Sequence, residues 1–496
     1  MVRVEVCLVA GVGALWGSLG VTRPLSVFPS RLNYPMPSFI FRLSQLAAAF
    51  VLALTAQAAR PTSEIIVFND DGCWNWLQDE RVVVAGGQLF IGSVAAGTRD
   101  ARRMGDIDVV SFDLKTRALQ RTVLHHLETP AVQKQWLDDH NCPAFFVRPD
   151  GRVLALYAQL SRDEKFYQRI SQPGGPAGST AWGDATTFAP IAGSRVAFPN
   201  LCFLRDENGG RGRVLNFYWG HDRLPSWSFS DDAGTTWAPK TPPRFITGGK
   251  KGSPYFVKYA GNGRDTVHIA YTDGHRTNFH NSLFHVYYRG GNLHRSDGRI
   301  IRSMAEGLAA AEEATRVFQT NPASVAMISD LGLDADQNPM IAYSVQIDTA
   351  PLRPRPIGAD HRYRLARWTG GKWVDREIAY AGGEVHAAKD DDCTGLIALD
   401  PQNANTVYIS TNADPVTGQP LISTADQQRH WEIFRGTTDQ AGLKWTWTAL
   451  TRNSTADNIR PVVPLGLKGA TAVIWLRGAM RMPSDYNFEV VGIVTP

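Results

Sequence analysis

Hydrophobic and polar positions along this chain fall into short runs of period two rather than the three-to-four spacing of helices, and one run recurs seven times. Small or polar residues lead into alternating apolar and aromatic positions at Gln88 to Ser93, Arg152 to Tyr157, Arg213 to Tyr218, Thr266 to Tyr271, Pro339 to Ser344, Asn405 to Ser410 and Thr471 to Leu476. The copies are spaced by about 64 residues, and most follow a turn signal such as Pro149-Asp150-Gly151 or Asn262-Gly263. A second apolar run follows several copies, at Asp108 to Asp113, Leu283 to Tyr288, Arg362 to Trp368 and Phe488 to Gly492, as the next strand of the same unit would. Strands this short cannot bury a face alone, so the units must stack side by side around an axis. The pattern therefore predicts an all-β chain: a single seven-bladed β-propeller of four-stranded antiparallel blades over residues 60–496. Helical spacing is nearly absent beyond residue 60, with Met304 to Arg316 as the exception.

One unit carries a sharper signature, Ser230-Asp231-Asp232-Ala233-Gly234-Thr235-Thr236-Trp237. Its Ser-x-Asp-x-Gly-x-Thr-Trp order resembles the Asp-box of sialidase-type propellers. There the Asp side chain accepts backbone amides of a hairpin turn, Gly takes a positive φ and Trp packs between sheets. A degenerate copy sits at Asp439, Gly442 and Trp445. The box is structural, so it supports the fold and leaves the substrate open.

Composition narrows the class. At 43% hydrophobic and 20% charged, 496 residues suffice for a large packed core, which excludes a disordered chain. A net charge of +4 is too small for the electrostatic footprint of a nucleic-acid protein, although arginines gathered in one cleft can serve an acidic substrate. Residues 1–59 differ in kind. Arg42 precedes an apolar run from Leu43 to Leu54 that ends in Ala56-Gln57-Ala58, the charged, apolar, small-residue order of a secretory signal. Met36 is a natural start for it, and the segment from Met1 then reads as an extension of the gene model. A membrane anchor is the competing reading, but the run is short and broken by Ser44 and Gln45. The expectation is a secreted, extracellular protein with no membrane association once the signal is removed. Four cysteines follow the leader, Cys73, Cys142, Cys202 and Cys393; none has metal-ligand spacing, and one or two disulfides are permitted.

The most unusual polar cluster is Asp138-Asp139-His140-Asn141, followed by Cys142-Pro143-Ala144 and the strand approach Pro149-Asp150-Gly151-Arg152. Polar residues directly before an apolar strand lie at a blade entrance and face the axial cleft where propellers bind ligands. The competing reading is an Asx-type turn with a hydrogen-bonded histidine. His125-His126 and His285 invite a metal, yet adjacent strand residues point to opposite faces, so His125 and His126 do not share an ion. No metal or cofactor is expected. Trp219, Trp227 and Tyr218 can stack on sugar rings, although most propeller aromatics are core.

Taken together, Trp74-x-Trp76-x-Gln78-Asp79-Glu80-Arg81, Asp138-Asp139-His140-Asn141-x-Pro143-Ala144, Pro149-Asp150-Gly151-Arg152, the Asp-box, Thr411-Asn412-x-Asp414-Pro415 and Asn458-x-Arg460-Pro461 resemble a group of seven-bladed propeller polysaccharide lyases. The group includes ulvan lyases and lyases that remove rhamnose from rhamnosyl-α-1,4-glucuronate caps, with related α-L-rhamnosidases. The resemblance runs from about Cys73 to the C-terminus. It implies a carbohydrate-active enzyme that cleaves rhamnose-α-1,4-uronate bonds in a uronate-containing polysaccharide or oligosaccharide by β-elimination. A cation must neutralise the uronate carboxylate and stabilise the enolate-like intermediate, a base removes the C5 proton, and an acid protonates the departing C4 oxygen. His140 matches the family's histidine and is the expected base. Arg276, in Asp273-Gly274-His275-Arg276, is the expected carboxylate ligand, since a guanidinium binds such a group bidentately. Tyr255 and Lys258 are candidates for the acid and a second cation, with Asn141, Arg223, His275 and Trp219 as further substrate contacts. For these residues other than Arg276, a surface salt bridge or blade packing is an equal or better reading.

Three positions depart from the group. Leu160 stands where a second histidine is expected, Phe198 where a tyrosine is expected, and Trp219 where an arginine is expected. Those changes keep two alternatives open: an α-L-rhamnosidase of the same fold, and a sugar-binding propeller that has lost catalysis. A sialidase is not expected, because its three arginines and Tyr/Glu pair cannot be placed.

Overall fold

The computed structural model describes residues 64–495 apart from 128–129, 161–162, 173–180, 191–192, 221–223, 239–243, 247–254, 276–279, 348–359, 384, 386–392, 440–441 and 468. The expected leader, Met36, Arg223 and Arg276 fall outside those residues.

Seven antiparallel sheets form the blades of a propeller. Their innermost strands are Val82–Ala85, Ala144–Val147, Ala197–Leu204, Val257–Gly261, Ser324–Leu333, Ile397–Leu399 and Asp457–Val462. Each of the seven recurring runs is the second strand of its blade, from Gln88–Val94 in the first to Thr471–Met482 in the seventh. The physical reason is burial on both faces. The aromatic residue of six copies (Tyr157, Tyr218, Tyr271, Tyr343, Tyr408 and Trp475) is among the largest wholly buried side chains, and the apolar clusters lie between neighbouring blades. The ring is closed by Ile66–Asn69, which pairs with Asp485–Thr495 as the outermost strand of the seventh blade.

Two blades depart from the expected four strands. The third has three, Ala197–Leu204, Arg213–Trp219 and Pro225–Ser230, extended by bridges from Phe229 to Ala238 and from Ser226 to Arg244. The fourth has six, because Thr315–Gln319 returns to pair with Ser282–Arg289. Met304 to Arg316 therefore does not form the helix its spacing allowed. Only a 3₁₀ turn, Ala311–Glu313, forms before sheet pairing takes over. A helix that the pattern did not announce spans Pro130–Trp136.

The Asp-box folds as its sequence dictates. Asp232 Oδ1 accepts the amides of Thr235 (3.0 Å) and Thr236 (2.8 Å), and Ser230 Oγ accepts that of Gly234 (2.7 Å). Gly234 sits at φ +89°, where a Cβ would lie 2.6 Å from Leu154 Cδ2, so no other residue fits. Trp237 crosses to the second blade, stacking on Phe188 and donating to Gln168 Oε1 at 2.8 Å. The degenerate copy turns at the same place in the sixth blade, between Glu432–Thr438 and Trp445–Ala449.

Between the N-terminal strand and the first inner strand, residues 74–81 run into the axis. Asn75 N–H donates to Asp139 O, Lys258 Nζ to Trp76 O, Leu201 N–H to Asp79 O and Phe145 N–H to Glu80 O. This segment is the tryptophan-rich motif noted above, and it braces the second, third and fourth blades against one another.

Candidate active site

Loops that lead into the inner strands and out of the second strands share one face of the propeller, and the candidate residues gather there. Asp139–Asn141 form a 3₁₀ turn just before the second inner strand, capped by Asp138, whose carboxylate accepts the His140 amide at 3.0 Å. The Asx-type turn is thus present, and it lies directly before the second inner strand. His140 Nδ1 lies 2.5 Å from Asp138 Oδ1 and 2.9 Å from Asp139 Oδ1, while its side chain keeps 17% exposure. Asp139 is wholly buried, and its other oxygen is held by Nη1 of Arg460, which reaches across from the seventh inner strand. Arg460 also donates to Trp74 O at 2.5 Å and stands over the Trp76 ring at 5.5 Å.

Charge decides what this cluster is. Burial pulls the His140 imidazole down, but the Asp139 and Asp138 carboxylates outweigh it and push the pKa up to about 10. Burial likewise raises Asp139, and Arg460 with His140 reverses that, holding it well below the usual carboxylate range. Asp138, Asp139 and His140 each offer a ligand atom within 4.8 Å of the others, the geometry of a metal site. Arg460 already occupies Asp139, however, and His140 bridges both carboxylates, so two negative charges meet two positive ones and no cation is called for.

A row of rings extends from His140. Phe198 lies 5.2 Å from the imidazole, Trp219 4.5 Å from Phe198, Phe256 6.0 Å from Trp219 and His275 5.1 Å from Phe256. Leu160 packs into the same cluster, with its amide donating to Asn141 Oδ1 at 2.7 Å. The three positions that depart from the lyase group are therefore neighbours in space, and together they give His140 an apolar flank.

The remaining candidates separate. Asn141 is wholly buried and holds Trp136 O (2.7 Å) and the Leu160 amide, a structural task. Lys258 is wholly buried as well; its ammonium is committed to Asp79 and Trp76 O, so it is no free cation for a substrate. Beside it, burial and Asp79 push Glu80 up to about 8. Tyr255 is 3% exposed, packs edge-on against Tyr271 at 6.0 Å, and is pushed up to about 12 by burial and by Asp273. Trp219 and His275 are half-buried on the ring row. Arg460 lies in the Asn458-x-Arg460-Pro461 motif, and its partner Asp139 is 321 residues away, so residue type alone does not announce its role. His125 and His126 do part as expected, His125 stacking on Trp136 and His126 bonding Asp106 at 2.9 Å. Cys73, Cys142, Cys202 and Cys393 are all buried as thiols, so the permitted disulfides are not formed.

Fold and site together define a class, an Asp-box propeller of seven blades with a charged histidine at the entrance of its second blade. The family model described as "BNR repeat-containing family member" matches residues 102–381, more than half of the chain, and the chain belongs to that family. No curated protein matches it. Among solved structures, it is similar to an ulvan lyase of polysaccharide lyase family PL25 bound to -[GlcA(1-4)Rha3S]-, with a TM-score of 0.61 and 13% identity over 86% of this chain and 95% of that one. Polysaccharide lyase Uly1 gives a TM-score of 0.54 and 13% identity over 84% and 90%. At such identities the likeness establishes the fold.

Proposed function

We propose that this propeller is a secreted polysaccharide lyase, residues 1–59 comprising an N-terminal extension and a removable secretory signal that starts at Met36, and that it breaks a rhamnose-α-1,4-uronate bond by β-elimination. The observation that carries the reading is His140, a histidine held at the entrance of the second blade with its Nδ1 clamped by two carboxylates. The oligosaccharide bound to the similar ulvan lyase contains the matching glucuronate and rhamnose units. Among the described residues no helix is long and apolar enough to cross a membrane.

The charge state of His140 reassigns its role. An imidazole that keeps its proton to about pH 10 is a poor base at neutrality and a good donor. We place it as the acid that gives its Nε2 proton to the departing C4 oxygen. Arg276 neutralises the uronate carboxylate, and a base on the opposite side of the sugar from His140 takes the C5 proton. The C5–H electron pair then forms the C4=C5 double bond as the C4–O bond breaks. Tyr255, 3% exposed and enclosed in the core, gives up the acid role to His140.

The test is incubation with ulvan or rhamnose-capped arabinogalactan. A rise in ultraviolet absorbance from an unsaturated uronate supports the lyase. Free rhamnose without that rise means an α-L-rhamnosidase. The apolar flank of Phe198 and Trp219 favours a second reading, a sugar-binding propeller; tight binding of a uronate oligosaccharide without turnover would establish it.

A further inference from the structure

Arg460 is an enclosed cation bonded to the His140 cluster, and the mechanism leaves it without a task. It is 3% exposed, so no substrate reaches it. Its backbone is held at φ +56°, in the left-handed region that a side chain of this size seldom adopts, beside an irregularity in the pairing of Ile459 and Val462. Its amide donates to Gly395 O at 2.7 Å, which ties this conformation to the sixth blade. The unusual backbone aims a guanidinium from the seventh blade at a carboxylate in the turn before the second. One nitrogen, Nη1, meets Asp139 Oδ2 and Trp74 O, while Nη2 lies 3.3 Å from Met480 Sδ.

Asp139 divides its oxygens between two tasks. Oδ2 belongs to Arg460, whereas Oδ1 meets His140 Nδ1 at 2.9 Å and accepts from Asn75 Nδ2 at 3.3 Å. A carboxylate pinned on one oxygen cannot swing away from the imidazole it orients with the other. We propose that Arg460 is a positioning residue for His140: by fixing Asp139 Oδ2 it locks Nδ1 of the imidazole and so fixes the direction of Nε2. The arrangement extends the logic of an acid that orients a histidine by one more link, with the guanidinium orienting the acid.

Charge arithmetic gives the consequence. Two carboxylates, Asp138 and Asp139, face two cations, His140 and Arg460; of the titratable groups around them, burial keeps Tyr486, Cys73 and Cys142 neutral, while Cys393 also acts on Arg460, Arg81 on Cys142 and Asp71 on Tyr486. Removing the guanidinium leaves one buried negative charge in excess. The His140 imidazolium is then the one cation left against two carboxylates, so it holds its proton more tightly and its titration moves up.

The experiment compares Arg460→Met and Arg460→Lys with the wild type. NMR follows the His140 ring through its titration, circular dichroism checks the fold, and lyase kinetics supply kcat and KM. Arg460→Met is expected to raise the His140 midpoint by at least one pH unit and to lower kcat at least tenfold, with KM within about twofold. Arg460→Lys, which keeps the charge and a single donor, is expected to fold and recover part of both. An unchanged His140 midpoint in a folded variant would overturn the proposal, and so would a loss confined to KM. The kinetic arm rests on the lyase reading and the titration does not. A shifted midpoint in a protein that cleaves no uronate would sink the lyase and leave the positioning role standing.

Discussion

Two buried histidine sites in this propeller are wired in opposite ways. At the cleft, His140 meets two carboxylates and is pushed up to about 10. In the fourth blade, His268 Nδ1 faces His285 Nε2 at 3.1 Å, and His285 Nδ1 meets Ser296 Oγ at 2.8 Å, and among the described residues no carboxylate is bonded to either ring. Burial then prevails: His268 falls to about 3, and His285 lies well below its ordinary value. The same side chain is thus a held cation in one place and a neutral hydrogen-bonding group in the other. Burial alone decides neither; the partner charge does.

The sharpest break of the cleft site is His140→Ala, which should cut lyase turnover by about 10²- to 10⁴-fold, read as the rate of unsaturated product. The pH profile of kcat then separates acid from base. With His140 as the donor the rate falls above about pH 10, whereas a rate that climbs toward pH 10 would restore it as the base.

Asp139→Ala removes the anion shared by two buried cations and should cost about 3–5 kcal/mol of stability in denaturant unfolding. The stability profile has two limbs of opposite sign. His140 gains pKa on folding, so its contribution is fully present below about pH 6.5 and is lost as pH rises toward 10. His268 loses pKa on folding, so its contribution is present above about pH 6.5 and is lost on acidification toward pH 3. His268→Gln should therefore reduce the acid-side slope by about one proton, measured from unfolding midpoints across that range. The smallest effect is expected far from both sites. Asp232→Ala, which removes the Asp-box acceptor, should cost about 1 kcal/mol in stability and leave turnover unchanged.

Much of the fold was legible because its signals are local. Period-two alternation reports which face of a strand is buried, and all seven recurring runs became second strands for that reason. The Asp-box spans eight consecutive residues and needs no distant partner to close its turn. Met304 to Arg316 misled because its local spacing lost to a long-range pairing with Ser282–Arg289. At the site, His140 and its capping aspartate were readable as a turn, since Asp138 acts two residues away.

The chain by itself determined seven strand-rich units, the box and a polar turn at the second blade, each set by neighbours within a few positions. Tertiary structure decided the charges. Asp139 meets Arg460 across 321 residues and Lys258 meets Asp79 across 179, because closing the ring brings the first, second, fourth and seventh blades to one axis. Protonation follows from which charges share a buried space, and no run of sequence contains that information. For the same reason Lys258, offered by its residue type as a cation for the substrate, became part of the axis, and Arg460, given no role, became a support of the one histidine on which the proposed chemistry turns.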